Sequence, residues 1–248
     1  MNRLPNIVGA VLLALLLSAA TASATTISVA VATNFLRPLA QLAALFTKET
    51  GIDLQYSGSS SGKLYAQIKN GAPYDLFLAA DDQRPELLHA AGLAEAPRVY
   101  ARGEVVLWTR DTKIAAADWQ QALTAGNGRI AIATPGVAPY GDAAEAALTT
   151  TGMRAALQAR LVFAQSAGQA FQYAEQGATA FGFVPLSYAI GETGKGGRHW
   201  PIPQAPVVVQ TGCVIAKSKQ RQAARRFFDF LLTPAARAII AGYGYKQD

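Results

Sequence analysis

Four places in the sequence set hydroxyl or small residues directly before a helix-forming run. They are Thr33-Asn34 before FLRPLAQLAALF, Ser61 before GKLYAQIKN, Tyr140-Gly141 before DAAEAAL, and Ser166-Ala167 before GQAFQYAEQG. Hydroxyls and the unpaired N–H groups of a helix start, helped by the helix dipole, form an anion site. Taken singly, each is an ordinary helix cap. Four of them on strand-to-helix loops point to a common anionic ligand, and to a chemistry of binding rather than of bond breaking.

The densest of these loops, SGSSSGKLYAQ (57–67), nearly spells a nucleotide-binding phosphate loop. That motif needs four residues between its glycines and a hydroxyl after the lysine to hold magnesium. Here Gly58 and Gly62 enclose only Ser59, Ser60 and Ser61, and Leu64 follows Lys63, so spacing and metal ligation both fail. A serine nucleophile would need a base and an oxyanion hole. No G-x-S-x-G elbow is present, and His89 and His199 fall in a helix end and a polar loop. A histidine-independent hydrolase using Ser61 stands as the enzymatic alternative. Lys63 is either a counterion for the anion or a solvated side chain on the first helical turn.

Other chemistries find less support. The two histidines have no partner at metal-ligand spacing, and the single cysteine, Cys213, sits in an apolar strand-like run as a buried residue. The formal net charge is +6, a mild field that attracts anions. Its densest segment, KSKQRQAARR (217–226), has no interleaved aromatics and reads as the solvated face of a helix, not a nucleic-acid surface. No cofactor is expected.

The elements that must position the loops follow from pattern. Residues 1–24 carry Arg3, an apolar run from about Val8 to Ala20, and small residues at Ala22 and Ala24, which reads as a cleavable secretory signal. No cysteine stands just after the cleavage point, and no later run approaches the roughly 18 apolar residues of a membrane span. The expectation is an exported, periplasmic, soluble and monomeric protein. After the signal, TTISVAVAT alternates as a buried strand and leads into a helix with Leu36, Leu39, Ala40, Ala43 and Phe46 on one stripe, stopped by Gly51. Strand, loop and helix then recur, which argues for α/β architecture with mainly parallel sheets. Two strand-like segments, GEVVLWT (103–109) and APVVVQTGCVIA (205–216), flank the middle. As crossovers they divide the chain into lobe 1, residues 25–106 plus 210–248, and lobe 2, residues 107–209. The cleft between such lobes is the natural ligand site.

VATNF after the first strand, GSSSGKLYAQIKNGAPYDLFLAAD, ATPGVAPYGDAAEAAL and FFDFLLTPAARAIIAGYGY together carry a resemblance. Over essentially the whole exported part, the chain resembles the ModA family of periplasmic molybdate-binding proteins, the substrate-binding components of ABC importers. The resemblance implies a two-lobed type II binding-protein fold that closes on molybdate or tungstate. It implies ligand contacts at Thr33, Asn34, Ser61, Tyr140 and Ala167, with Ser60 and Tyr188 as weaker candidates. Some members use a tyrosine in the strand after the fourth loop; Pro185 stands at that place here, and Asn34 is the expected substitute donor. Such a site needs donors only, because molybdate carries no proton near neutral pH. Asp142, close to the third loop, would upset that logic if it turned inward. Binding of another anion, such as sulfate or phosphate, is the alternative within the same scaffold.

Overall fold

The computed structural model describes residues 25–247, so the expected signal, residues 1–24, lies outside the described residues. β1 (Thr26–Ala32) runs through a single 3₁₀ turn, Thr33–Phe35, into α1 (Leu36–Thr50). β2 (Asp53–Ser59), α2 (Ser61–Lys69), β3 (Leu76–Ala79) and α3 (Gln83–Ala90) follow. Side chains alternate across a strand. Ile27, Val29 and Val31 of β1 accordingly enter one core with Leu39, Leu42 and Phe46 of α1, while Ala30 faces Leu64 and Ile68 of α2 on the other side. The α1 stripe is 39, 42, 43 and 46. Ala40, expected on it, is exposed because it lies one helical step off that face. Gly51 ends α1 at φ 70°, a left-handed conformation that favours glycine.

β4 (Arg98–Gly103) completes the first sheet, and β5 (Val105–Thr109) begins the second. The second lobe continues with α4 (Trp119–Ala125), β6 (Ile130–Ala133), α5 (Pro139–Thr150), α6 (Arg154–Leu157), β7 (Leu161–Ala164), α7 (Ala167–Glu175), β8 (Phe181–Pro185), α8 (Leu186–Ala189) and β9 (Arg198–Pro201). The chain then returns through β10 (Val208–Val214), α9 (Arg221–Leu231) and α10 (Pro234–Gly242). Thr233 Oγ1 caps α10 from Ala236 N, the restart that its Thr-Pro pair predicts.

The sheets have strand orders β2-β1-β3-β10-β4 and β7-β6-β8-β5-β9. In each, three neighbouring strands are parallel, as the βαβ pattern requires, and one strand, β10 or β5, runs against the other four and pairs antiparallel on both sides, so both sheets are mixed. Both reversed strands stand directly after a connection between the lobes. Neither flanking strand crosses the gap itself: Val105 and Val106 already pair with Pro185 and Val184, and Val208 and Val209 pair with Gly103 and Arg102. The change of sheet falls at Glu104 and across 202–207. Among the described residues no helix is long and apolar enough to cross a membrane.

Candidate functional site

Each of the four loops leaves a strand end and starts a helix, and the caps decide which groups remain available. At α2 the capping residue is Ser60, extended at φ −71°, ψ 151°, whose Oγ accepts from Lys63 N at 3.4 Å. Ser61 is therefore the first helical residue, and its hydroxyl is released from capping. That hydroxyl accepts from Ala80 N at 2.9 Å in a fully buried position, which leaves its proton to donate. At α7, Ser166 is the cap, accepting from Gln169 N at 3.2 Å, and Ala167 is the first helical residue. At α5, Pro139 has no N–H, and Gly141 N and Asp142 N both reach Ala138 O, at 2.7 and 3.2 Å.

Thr33 and Asn34 depart from expectation: they do not cap α1. They form the 3₁₀ turn, with no side-chain cap bond, and their side chains turn to distant partners instead. Thr33 Oγ1 accepts from Gly168 N at 3.1 Å across the cleft and, like Ser61, keeps its proton to donate. Both amide hydrogens of Asn34 are used, on Gln210 Oε1 at 2.6 Å and Tyr245 Oη at 3.0 Å. The Asn34 side chain is thus not the substitute donor; what it can offer a ligand is its main-chain N–H.

A helix start leaves its first N–H groups without intrahelical partners. Among the described residues, the N–H groups of Ser61, Tyr140 and Ala167 meet no acceptor. These residues, together with Thr33, Asn34 and Ser60, line one cavity of about 10 Å³ between the lobes, its remaining walls being Ala32, Ser59, Ala80, Ala138 and Pro139. That is close to the space of a single water molecule. Of the expected site residues, Tyr188 stands apart. Its hydroxyl donates to Thr33 O at 2.7 Å, and burial pushes its pKa up to about 12 against the opposing effect of Arg37. Tyr188 steadies the first loop from behind. Pro185 closes β8 opposite Val105 and does not line the cavity.

No residue around this cavity carries a charge. Asp142 is exposed and turns away, its Oδ1 accepting from Gly136 N at 2.6 Å. Asp81, just beyond Ala80, is engaged by Arg84 N at 2.7 Å and Arg84 Nη1 at 2.9 Å. Lys63 is exposed, and its ammonium reaches Gln165 Oε1 on the other lobe instead of the cavity. The site is therefore a ring of neutral donors whose field comes from helix starts.

Sequence reasoning missed the support behind the first loop. Asn34 O accepts from Tyr245 Oη at 2.8 Å and from Ser187 Oγ at 3.1 Å. Tyr140 places its hydroxyl against Gly103 beside Tyr245, and burial first, then that neighbour, holds its pKa well above the ordinary tyrosine value. Gln210, a single polar residue in the apolar run VVVQTG, was the one available signal, since a fully buried glutamine needs partners. Elsewhere, Cys213 is buried, with its thiol pKa pushed up to about 12 by desolvation, and His89 Nδ1 lies 3.1 Å from Ala94 O. Among the described residues no group of three or more histidine, cysteine or acidic side chains is placed to hold a metal ion.

Residues 27–246 match the family described as bacterial extracellular solute-binding protein. The molybdate-binding protein ModA of Rhodobacter capsulatus is 37% identical over 245 residues, covering 97% of this chain and 96% of that protein. The chain belongs to the ModA family. ModA of Azotobacter vinelandii is 38% identical over 237 residues, covering 92% of this chain and 93% of its own. The solved periplasmic molybdate-binding protein of Azotobacter vinelandii superposes with a TM-score of 0.84 at 39% identity, over 90% of this chain and 99% of that one. The two-lobed type II architecture is thus the family's own.

Proposed function

We propose that this protein binds molybdate, and also tungstate, in the periplasm and delivers it to an ABC permease. The observation that carries the reading is the donor-only cavity. Three unpaired helix-start N–H groups, at Ser61, Tyr140 and Ala167, join two hydroxyls whose lone pairs already accept from Ala80 N and Gly168 N. Such a set suits a tetrahedral dianion that carries no proton, and offers the protonated oxygen of phosphate no carboxylate acceptor. Hydrogen bonds to a charged group contribute about 1.5–3 kcal/mol each, so several of them hold a dianion without a lysine or arginine. The names of the ModA relatives support the same ligand.

Hinge closure follows from where the donors lie. Thr33, Asn34 and Ser61 follow strands of the first sheet, and Tyr140 and Ala167 follow strands of the second. A ligand touching both lobes stabilises the closed form by the contacts it makes only there. Gly62 N donates to Val137 O at 3.0 Å, and Arg84 Nη2 to Gly136 O at 2.7 Å, so protein contacts accompany the ligand's. The carrier reading has molybdate as transported cargo and no cofactor. The hydrolase alternative loses support because, among the described residues, the hydrogen-bond partner of Ser61 Oγ is the main-chain Ala80 N and not a base.

Thermal denaturation of the chain from Thr25 with each oxyanion tests this. A ligand at a thousandfold excess over its Kd adds about 4 kcal/mol to stability. Molybdate and tungstate are expected to raise Tm by several degrees and phosphate not at all. A shift with molybdate no larger than with sulfate contradicts the proposal.

A further inference from the structure

We propose that Arg37 is a positioning residue that holds the lobes shut over the ligand, by seating its guanidinium on the aromatic pair Tyr188 and Phe171; this rests on the carrier reading above. Arg37 stands on the first turn of α1, directly after the Thr33–Asn34 loop, and belongs to lobe 1. Its Cζ lies 4.8 Å from the centroid of Tyr188 and 5.7 Å from that of Phe171, both in lobe 2. The two rings are 5.1 Å apart, so they form one surface. Nη2 also donates to Thr193 Oγ1 of lobe 2. Gly191 makes the seat possible: a Cβ there would come within 2.3 Å of Arg37 Nη1 and 2.9 Å of Ser187 O.

These partners are tied to the cavity. Phe171 lies on α7, whose first residue is Ala167, and Tyr188 donates to Thr33 O. Seating Arg37 therefore brings the first and fourth ligand loops into register. A guanidinium over ring faces is attracted by their quadrupoles, more so when desolvated, and its planar shape matches them as an ammonium does not. The seat is incomplete in one respect. Nη1 is buried without a hydrogen-bond partner among the described residues, which offsets part of the stacking. The latch thus assists closure without locking it, and the ligand's contacts still decide the equilibrium.

Closure contacts that form after encounter act on release more than on arrival. Molybdate association and dissociation rates measured for wild type, Arg37→Ala, Arg37→Lys and the charge control Lys69→Ala test the assignment. In Arg37→Ala, dissociation is expected to rise about tenfold, equivalent to about 1.4 kcal/mol, with association within twofold of wild type. Arg37→Lys should fall between, and Lys69→Ala should match wild type. Dissociation from Arg37→Ala within twofold of wild type overturns the assignment, as does an equal effect in Lys69→Ala. If wild type binds no oxyanion, the carrier reading falls by itself. Small-angle scattering of ligand-free wild type and Arg37→Ala then decides the latch: a larger radius of gyration in the variant retains it, and equal radii overturn it.

Discussion

Ser61→Ala is expected to weaken molybdate binding roughly 10- to 150-fold, the loss of one hydrogen bond to a charged group. The side chain is fully buried, and Ala80 N already occupies its accepting side, so the hydroxyl proton is aimed by geometry at whatever fills the cavity. Alanine removes that donor and also strands Ala80 N, which lowers ligand-free stability by about 1–3 kcal/mol. Titration well below Tm separates the two effects. Lys63→Ala is the informative companion, because that ammonium reaches Gln165 across the outer edge of the cleft. Its Kd should stay within about threefold of wild type. Equal losses in both variants would show that the lysine is a counterion and that the neutral-donor description is wrong.

Gly62→Ala should damage closure while sparing the lobes. Gly62 is the second residue of α2, and its N–H donates to Val137 O of the other lobe at 3.0 Å. A Cβ there would lie 2.8 Å from that same oxygen and 3.2 Å from Val137 Cα. Both are main-chain atoms that cannot swing aside as a side-chain tip does. The next nearest atom, Arg84 Nη2 of lobe 1 at 3.3 Å, ends a flexible side chain. Overpacking of this kind costs about 1–3 kcal/mol, so Kd should rise roughly 5- to 150-fold. Ligand-free Tm should hold or rise slightly, since alanine is a better helix former than glycine. Calorimetry and a melting curve on one preparation check both halves, and an unchanged Kd would mean that α2 and the Val137 loop do not close together as described.

Much of this site was legible because its logic is local. Serines and threonines between an apolar strand and an amphipathic helix mark helix starts, and helix starts are anion sites wherever they converge. TISVAVA and the stripe expected at 36, 39, 40, 43 and 46 gave β1 and α1 by periodicity, although Leu42 and not Ala40 is buried. What escaped was decided by distant partners. Asn34 turns its amide inward because Gln210 and Tyr245, 176 and 211 residues away in sequence, meet it there. The phase of the α2 start, with Ser60 capping and Ser61 free, depends on Ala80 N from β3's end, which no composition signals. Asp142 turned outward because Gly136 N was within reach. The antiparallel β5 and β10 were invisible because a strand's pattern does not state its direction.

The central claim is that the cavity offers neutral donors and no carboxylate acceptor, and therefore takes its ligand as a fully deprotonated dianion. Calorimetric titration with molybdate at pH 7 in two buffers of different ionisation enthalpy measures this directly, with phosphate run alongside. One molybdate per chain should bind with the same enthalpy in both buffers, meaning no proton moves, and phosphate should bind at least about 100-fold more weakly, the consequence of placing an unpaired O–H in a buried site. Proton uptake on binding, or phosphate binding as tightly as molybdate, would place an acceptor in the cavity and contradict the account.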